Sequence, residues 1–240
     1  CTIAYDVGFE TVSEIEVRSM ELDGVDISES SSRVYPQGTT ACHVIGYTSK
    51  LSSAKLEDYK NQGYPNDAYV GADGVEASLE DQLSPYIQYR QGQRVVEVNT
   101  RGKVVRELSY DAPEDGNSVV LTINVELQKV MAEALQSTIE SIRSQQETTI
   151  ASSTWRRRKK EILEDYAAND REISLANSGA LEAMDPNTGR VLGIVSYPDF
   201  DLSYFDGGSI SNSDWDKIRE GNDPLYNRAI STKDSPGSIF

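Results

Sequence analysis

One segment restricts the fold more than any other: between residues 124 and 142, apolar side chains recur with the period of an α-helix. They are Leu127, Val130, Met131, Ala134, Leu135, Ile139 and Ile142. Asn124 suits the N-cap position, because its side-chain oxygen can accept from a free N–H group of the first turn. The pattern therefore predicts a long amphipathic helix that starts after Asn124. The polar stretch 144–176 either continues this helix or forms a loop.

A β-hairpin is predicted downstream of this helix, from residues 179–184 and 190–196. The turn between them reads Asp-Pro-Asn-Thr-Gly, a combination of residue types that favour turns. Both strands are almost continuously apolar, which is typical of strands that are buried on both faces. We therefore expect this sheet to be covered on both sides.

An earlier hairpin is predicted from residues 94–98 and 103–108. Its strands carry charges at alternate positions, so one face should contact water. The segment 111–117 that follows contains Pro, Gly and acidic residues, which is the composition of a linker. We place a domain boundary there, giving domains 1–115 and 116–240, and expect the two hairpins to lie in separate sheets.

The N-terminal part of the chain indicates a mixture of short elements. Residues 3–18 alternate loosely and are rich in β-branched types, which favours strands. A Gly-, Ser- and Asp-rich link occupies 23–32, and helical patterns follow at 50–62 and 74–83. With the hairpins and the long helix, these elements predict an α+β fold whose first domain is rich in short strands.

The charge balance excludes one class of partner. The formal net charge is -16, which would repel the phosphate backbone of a nucleic acid over most of the surface. One basic run, residues 156–160, is followed at once by acidic residues, so it is interpreted as a solvated helical face of mixed charge. A patch that binds phosphate or a partner is the minor alternative.

The chain is poor in residues that would support a metal or cofactor site. Its two cysteines, Cys1 and Cys42, are too few for a disulfide framework and lack the spacing of a zinc site. Cys1 could also be a lipidated first residue. The single histidine, His43, lies far from any serine in a nucleophile-elbow setting, so a structural role is favoured. No phosphate loop or dinucleotide motif occurs, and no cofactor is predicted.

The end of the chain carries a candidate nucleophile. Residues 235–240 read Ser-Pro-Gly-Ser-Ile-Phe, and Asn227-Arg228-Ala229-Ile230 precedes them. Pro-Gly-Ser alone is an ordinary turn. Here it follows three further blocks in a fixed order, namely Leu121-Thr122-Ile123 with Leu127-Gln128, residues 178–192, and Val195-Ser196-Tyr197-Pro198-x-Phe200-Asp201. In this order the blocks resemble the first part of the transpeptidase domain of class B penicillin-binding proteins, an antiparallel sheet flanked by helices.

That resemblance implies a serine acyl-transfer mechanism in which Ser238 is the nucleophile. In the family, this serine lies at the start of a helix beside a lysine one turn later, which takes the hydroxyl proton. The helix N-terminus adds partial positive charge where an oxyanion develops. The implied substrates are peptidoglycan stem peptides, and β-lactams would acylate the same serine. The lysine and the Ser-x-Asn and Lys-Thr-Gly motifs of the family do not occur in these 240 residues.

The first 115 residues resemble the N-terminal pedestal of the elongation-type, penicillin-binding-protein-2-like branch. The matching motifs are Gly24-Val25, Arg33-x-Tyr35-Pro36, Ala41-x-His43-x-Ile45-Gly46-Tyr47 and Gly71-x-x-Gly74-x-Glu76. Turns, bulges and a buried ion pair are the favoured roles of these residues. The resemblance implies that the pedestal contacts a SEDS-family glycan polymerase in the membrane. It also implies an extracytoplasmic location and an anchoring transmembrane helix N-terminal to Cys1.

Two alternatives to a transpeptidase remain at this point. A non-catalytic module could bind β-lactams or activate the polymerase without cross-linking. A β-lactamase or D,D-carboxypeptidase would share the serine chemistry, but such hydrolases generally lack the pedestal.

Overall fold

The structure, a computed structural model, describes residues 3–4, 7–18, 21–22, 24–25, 27, 32–87, 90–100 and 104–233. The α-helices are α1 (Phe9–Val17), α2 (Cys42–Ile45), α3 (Leu56–Asn61), α4 (Gly74–Ser78), α5 (Glu80–Leu83), α6 (Val125–Ala151), α7 (Ser153–Arg158), α8 (Lys160–Ala168), α9 (Asn212–Glu220) and α10 (Arg228–Ser231). The strands are β1 (Thr48–Lys50), β2 (Tyr69–Gly71), β3 (Gln93–Val98), β4 (Val104–Asp111), β5 (Gly179–Met184) and β6 (Val191–Tyr197), and a 3₁₀ segment spans Leu202–Gly208. Residues 1–32 and 33–240 form two separate compact units.

In the first unit, the prediction of strands over residues 3–18 is wrong, because residues 9–17 form helix α1. The apolar residues Phe9, Val12 and Ile15 follow one another at intervals of three, which suits a helical stripe as well as loose alternation. Arg18 pairs with Glu14 one turn earlier, at 3.4 Å, an interaction that favours a helix. Cys1 lies outside the described residues.

The second unit begins with a small antiparallel pair, in which β1 and β2 align Thr48 with Gly71. Because β1 takes residues 48–50, the helix expected at 50–62 is limited to α3. Beside this pair, a hydrophobic cluster is formed by Leu51, Tyr64, Ala68 and Val70. The helix predicted at 74–83 is present as α4 and α5, which are interrupted at Leu79 (φ -118°).

The upstream hairpin is confirmed as β3 and β4, a sheet of its own with two irregularities in its register. Its faces carry the ion pairs Arg94–Glu107 (2.8 Å) and Arg106–Glu97 (2.9 Å). Apolar side chains are exposed as well, so water contacts more than the single face expected from the sequence. Val98, Val104, Val105, Leu108 and Tyr110 are each about half exposed or more.

The long helix is confirmed as α6, and it organises the second hairpin. Asn124 caps it by accepting from the backbone N–H of Leu127 at 3.0 Å. The carboxamide of Gln128 accepts from Ile194 N at 2.9 Å and donates to Ile194 O, so it bonds both backbone groups of one β6 residue as a neighbouring strand would. Gly193 lies against Met131, where an added Cβ would approach the sulfur to 2.5 Å.

The polar stretch after this helix is largely helical, since α7 and α8 follow α6. Residues 156–160 are all exposed, and Lys160 pairs with Glu164 at 3.6 Å. This arrangement confirms the interpretation of the basic run as a solvated face of mixed charge.

The second hairpin is confirmed as β5 and β6, but the prediction that both of its strands are covered on both faces is wrong. Val195 and Ser196 of β6 are buried, whereas Leu181 and Met184 of β5 are 40% and 52% exposed. Among the described residues, β5 pairs with β6 alone, and residues 122–128 cover the other edge of β6. The two hairpins belong to different sheets, as predicted.

The main hydrophobic core joins residues that are distant in sequence. Its buried members are Tyr35, Cys42, Phe200, Leu202, Phe205 and Ile218. This core includes residues from both sides of the boundary near residue 115, which stays a prediction. Segment 198–226 therefore packs directly on the motif-bearing residues 33–47.

We expect Asn124→Ala to lower the free energy of unfolding by about 0.5–2 kcal/mol, because the first turn of α6 would lose its side-chain acceptor. Urea unfolding followed by circular dichroism measures this change. Asn124→Ser, which keeps an acceptor, is the matched control and should lose much less. Equal losses in both variants would contradict a capping role.

Candidate functional site

The described chain reaches Lys233, so Ser238 lies outside it and its role stays a prediction. The chain before it is described as far as Lys233, and this includes the segment 222–233. We use the term junction cluster for five residues that join this segment to the rest of the unit. They are His43, Ser196, Pro224, Asn227 and Arg228.

Ser196, near the end of β6, anchors the segment from one side. Its buried hydroxyl donates to the carbonyl oxygen of Tyr226 at 3.1 Å and accepts from the backbone N–H of Arg228 at 3.0 Å. Both bonds reach backbone groups beside the start of α10. The hydroxyl thus fixes this start relative to the sheet.

Asn227 is the N-cap of α10. Its Oδ1 accepts from the backbone N–H of Ala229 at 3.2 Å. Its Nδ2 donates to the carbonyl oxygen of His43 at 3.5 Å, which connects the same side chain to α2. Asn227 therefore combines a local role in the helix with a long-range contact.

The guanidinium of Arg228 closes the loop before α10. It donates to the carbonyl oxygens of Asn222 at 2.6 Å, Asp223 at 3.0 Å and Tyr226 at 3.3 Å. A planar group with five N–H donors can satisfy several carbonyls at once. Loop 222–227 is therefore held in one conformation by the first residue of the following helix.

His43 anchors the segment from the other side, and its surroundings define its tautomer. Nε2 lies 2.6 Å from the carbonyl oxygen of Pro224, which can only accept, so Nε2 carries the hydrogen. Nδ1 is then free to accept from the thiol of Cys42, whose sulfur lies 3.3 Å away. The ring of Phe200 packs against the imidazole, nearly perpendicular to it, at a centroid distance of 5.2 Å.

The electrostatics agree with a neutral imidazole and a protonated thiol. Burial lowers the pKa of His43, more than the bond to Pro224 and the charge of Asp73 raise it. Burial also raises the pKa of Cys42 to about 12. The thiol is therefore a weak donor and a poor nucleophile, and the structural role predicted for His43 is confirmed.

The pedestal motif residues Arg33 and Tyr35 lie next to the 3₁₀ segment. Tyr35 N donates to Oδ1 of Asp206 at 2.9 Å, and Gly207 N donates to the carbonyl oxygen of Arg33 at 3.0 Å. The Arg33 side chain pairs with the buried carboxylate of Glu76 at 3.0 Å, which is the ion pair expected from the motifs. Burial raises the pKa of Glu76, although the guanidinium opposes this effect.

Sequence reasoning identified Asn227 and Arg228 only as parts of a motif and gave no role to Pro224. The three residues lie within positions 224–228, but His43 and Pro224 are 181 residues apart. No periodic or spacing signal connects such a pair. Across the described residues, no three metal-binding side chains come together, and no helix is long and apolar enough to span a membrane.

The comparison with known families bears on the whole N-terminal half. A family model described as the penicillin-binding protein dimerisation domain matches residues 1–121. The chain belongs to the penicillin-binding proteins. The identification of the chain as a penicillin-binding-protein-2-like member, made from its motifs, is confirmed by this match and by the relatives below.

Relatives of this penicillin-binding protein chain resemble it over almost its full length. Peptidoglycan D,D-transpeptidase MrdA from Escherichia coli K12 is 30% identical over 95% of the chain, and the MrdA of Acinetobacter baumannii is 30% identical over 90%. The chain spans about 30% of the length of the first of these relatives and 26% of the second.

Solved structures confirm the fold. A peptidoglycan synthase complex that coordinates polymerization and crosslinking contains a chain 27% identical, with a TM-score of 0.60 over 93% of this chain and 34% of that one. The complex between PBP2 and MreC from Helicobacter pylori gives a TM-score of 0.59 at 22% identity, over 94% of this chain and 34% of that one. The predicted α+β architecture, a pedestal followed by the start of a transpeptidase domain, is therefore confirmed.

The buried state of His43 predicts a specific pH dependence of stability. In the unfolded chain the pKa of histidine is about 6.5, and folding lowers it, so the unfolded state takes up the proton first. The stability that depends on a neutral His43 is therefore fully present above about pH 6.5 and is lost as the pH falls toward the pKa of His43 in the folded state. Glu76 and Asp199, whose pKa values are raised by burial, act in the opposite direction.

We expect His43→Gln to remove this part of the pH dependence, because glutamine does not titrate. The unfolding free energies of the wild type and the variant are measured at pH 7.5 and at pH 5.5. The difference between the two proteins should be smaller at pH 5.5. The two carboxylates contribute equally to both proteins, so their effects cancel in this comparison. A difference that is constant with pH would contradict a neutral, buried His43.

Proposed function

We propose that the full-length protein is a peptidoglycan D,D-transpeptidase that cross-links stem peptides through an acyl-enzyme on Ser238. The observation that carries the proposal is the 30% identity to a peptidoglycan D,D-transpeptidase across 95% of the chain. The order of motifs that ends in Pro236-Gly237-Ser238 is consistent with it.

The proposed reaction has two steps. The Ser238 hydroxyl oxygen forms a bond to the carbonyl carbon between two D-Ala residues, the C–N bond breaks, and the hydroxyl proton passes through a base to the departing D-Ala amine. An amine of a second stem peptide then attacks the ester, its proton returns to the serine oxygen, and a new amide is released. A β-lactam would acylate the same oxygen by opening its ring. The lysine, Ser-x-Asn and Lys-Thr-Gly elements are absent from these 240 residues and would come from outside them.

We expect Ser238→Ala in the full-length protein to abolish labelling by a fluorescent penicillin without unfolding it. The loss of a nucleophile should lower the acylation rate by several orders of magnitude, while a small hydroxyl on a first helical turn contributes at most about 0.5–2 kcal/mol to stability. Mass spectrometry locates the adduct, and Ser235→Ala is the control that should label normally.

Two results would refute this assignment. One is an adduct on a residue other than Ser238 in the full-length protein. The other is fast, stoichiometric acylation of the 240-residue chain alone, which lacks a lysine one turn after the serine.

A partner in the membrane is the second part of the proposal. We propose that the pedestal contacts a SEDS-family glycan polymerase and that the protein acts on the extracytoplasmic face of the membrane, with an anchor outside this chain. The similarity to a chain of a peptidoglycan synthase complex that coordinates polymerization and crosslinking supports this proposal. Hairpin β3–β4 is a candidate contact, because exposed apolar patches often mark interaction sites.

We expect Val98→Glu with Val104→Glu to weaken stimulation of the polymerase, because two carboxylates would be placed on the exposed, paired positions of this hairpin. The measurement is glycan polymerisation by the purified pair of proteins. Ile162→Glu, at a half-exposed position of α8, is the matched control. Penicillin labelling should persist in all three proteins, and unchanged stimulation by the double variant would exclude the hairpin as the contact.

A non-catalytic module that binds β-lactams and activates a polymerase is the alternative function. The exposed apolar hairpin suits it as well as it suits a transpeptidase. Formation of a cross-linked dimer of stem peptides by the wild type, and its loss in Ser238→Ala, separates the two functions.

A further inference from the structure

The proposed nucleophile follows a segment that His43 contacts from a distant part of the chain. We propose that His43 is a positioning residue for acylation, which holds loop 222–227 and the start of α10 in the place that the segment carrying Ser238 requires. This inference rests on the proposed function. It goes beyond that function, because it gives the pedestal motif around His43 a measurable effect on the chemistry.

The first support is that two hydrogen bonds join His43 to loop 222–227, and each of them joins a side chain to a backbone carbonyl group. His43 Nε2 donates to the carbonyl oxygen of Pro224 at 2.6 Å, and Asn227 Nδ2 donates to the carbonyl oxygen of His43 at 3.5 Å. They bracket the loop at its centre and at its last residue. A displacement of the loop at Pro224 or at Asn227 would therefore break a bond.

The second support is that the imidazole has little freedom to move. Cys42 donates to Nδ1, Pro224 accepts from Nε2, and the Phe200 ring packs against the imidazole. Both His43 and Pro224 are buried, so water cannot readily replace the bond between them. The side chain is preorganised to hold the carbonyl group.

The third support is that further hydrogen bonds, made by Ser196 and Arg228, also hold the loop in place. Ser196 fixes the backbone of Tyr226 and Arg228, and the Arg228 guanidinium closes the loop onto itself. The end of α10, Ser231, precedes Ser238 by seven residues in the sequence. A shift of the loop would therefore move α10, the last described helix before the segment that carries Ser238.

The expected effect follows from the sensitivity of acyl transfer to geometry. A misplacement of about 1 Å can lower a rate about 10²-fold. Loss of the contact should thus reduce the first-order acylation step, while noncovalent binding of the β-lactam changes little. If the role of His43 were purely structural, its loss would lower the melting temperature and leave the first-order acylation step of the folded protein unchanged.

The experiment measures acylation of the full-length protein by a fluorescent penicillin, separated into the noncovalent dissociation constant and the first-order rate constant. His43→Phe keeps the ring that packs on Phe200 but removes both nitrogens, and we expect its first-order rate constant to fall about 10- to 100-fold. His43→Gln keeps an N–H donor within reach of Pro224, and its rate constant should stay within about threefold of the wild type.

A matched control separates stability from positioning. Val70→Ala creates a cavity in the cluster around Leu51 and Tyr64, away from the junction cluster. It should lower the melting temperature and leave the acylation rate of the folded protein unchanged. Asn227→Asp, which keeps the cap acceptor but loses the N–H donor to His43, tests the contact if His43→Phe does not fold.

The outcomes are distinguishable. If the wild type is not acylated at Ser238, the proposed function fails. If the wild type is acylated and His43→Phe, or Asn227→Asp in its place, reacts at the wild-type rate, the positioning role is overturned. Equal slowing of His43→Gln and His43→Phe would also overturn it, because the N–H donor would then not be the feature that matters.

Discussion

His43 and Pro224 meet in a buried site, and the hydrogen bond between them is the constraint on which the arrangement of the larger unit depends. The turn that bears His43 lies in the same core as Tyr35, Phe200 and Leu202. That core is assembled from short helical pieces, which have few backbone bonds of their own to offer. A neutral imidazole that donates to one backbone carbonyl and accepts from one thiol satisfies every polar group at this point, so the core can exclude water there.

A buried polar side chain satisfies the backbone in the same way at two of the three small sheets of the described chain, β1–β2 and β5–β6. Gln128 bonds both backbone groups of Ile194, and the Glu80 carboxylate accepts from Gly71 N at 2.7 Å and from the Tyr64 hydroxyl at 3.2 Å. Each sheet in the described chain has two strands, so much of its backbone would otherwise lack a partner. Buried polar side chains replace the missing strand neighbours and fix one register of packing. Removing one of them would leave the opposite backbone group unsatisfied, which is why their loss costs more than their formation contributes.

Charged side chains of the described residues lie mostly on the surface, and few of them are buried. Most of the acidic residues behind the net charge of -16 are exposed, and the ion pairs of the hairpin β3–β4 and of α8 are exposed as well, so they contribute little to stability. Glu76 and Glu80 are exceptions: the buried carboxylate of Glu76 is paired with Arg33, and that of Glu80 accepts the two hydrogen bonds described above. A buried pair of this kind is weak support for stability, and it is more readily understood as a device that aligns the 33–35 segment with α4.

The sequence by itself determined the elements whose signals are local. The 3.6-residue period and the Asn124 cap predicted α6, turn-forming residues between apolar or alternating runs predicted both hairpins, and ordered motifs predicted the family. Local signals failed where two structures share one pattern, as in residues 3–18, where apolar residues three apart formed a helix instead of strands. They also failed for β5, because continuous apolarity indicates a preference for burial and not the presence of a covering layer. Only the tertiary structure decided that His43, Ser196 and Pro224 lie together, because hydrogen bonds between groups up to 181 residues apart leave no periodicity in the chain that forms them.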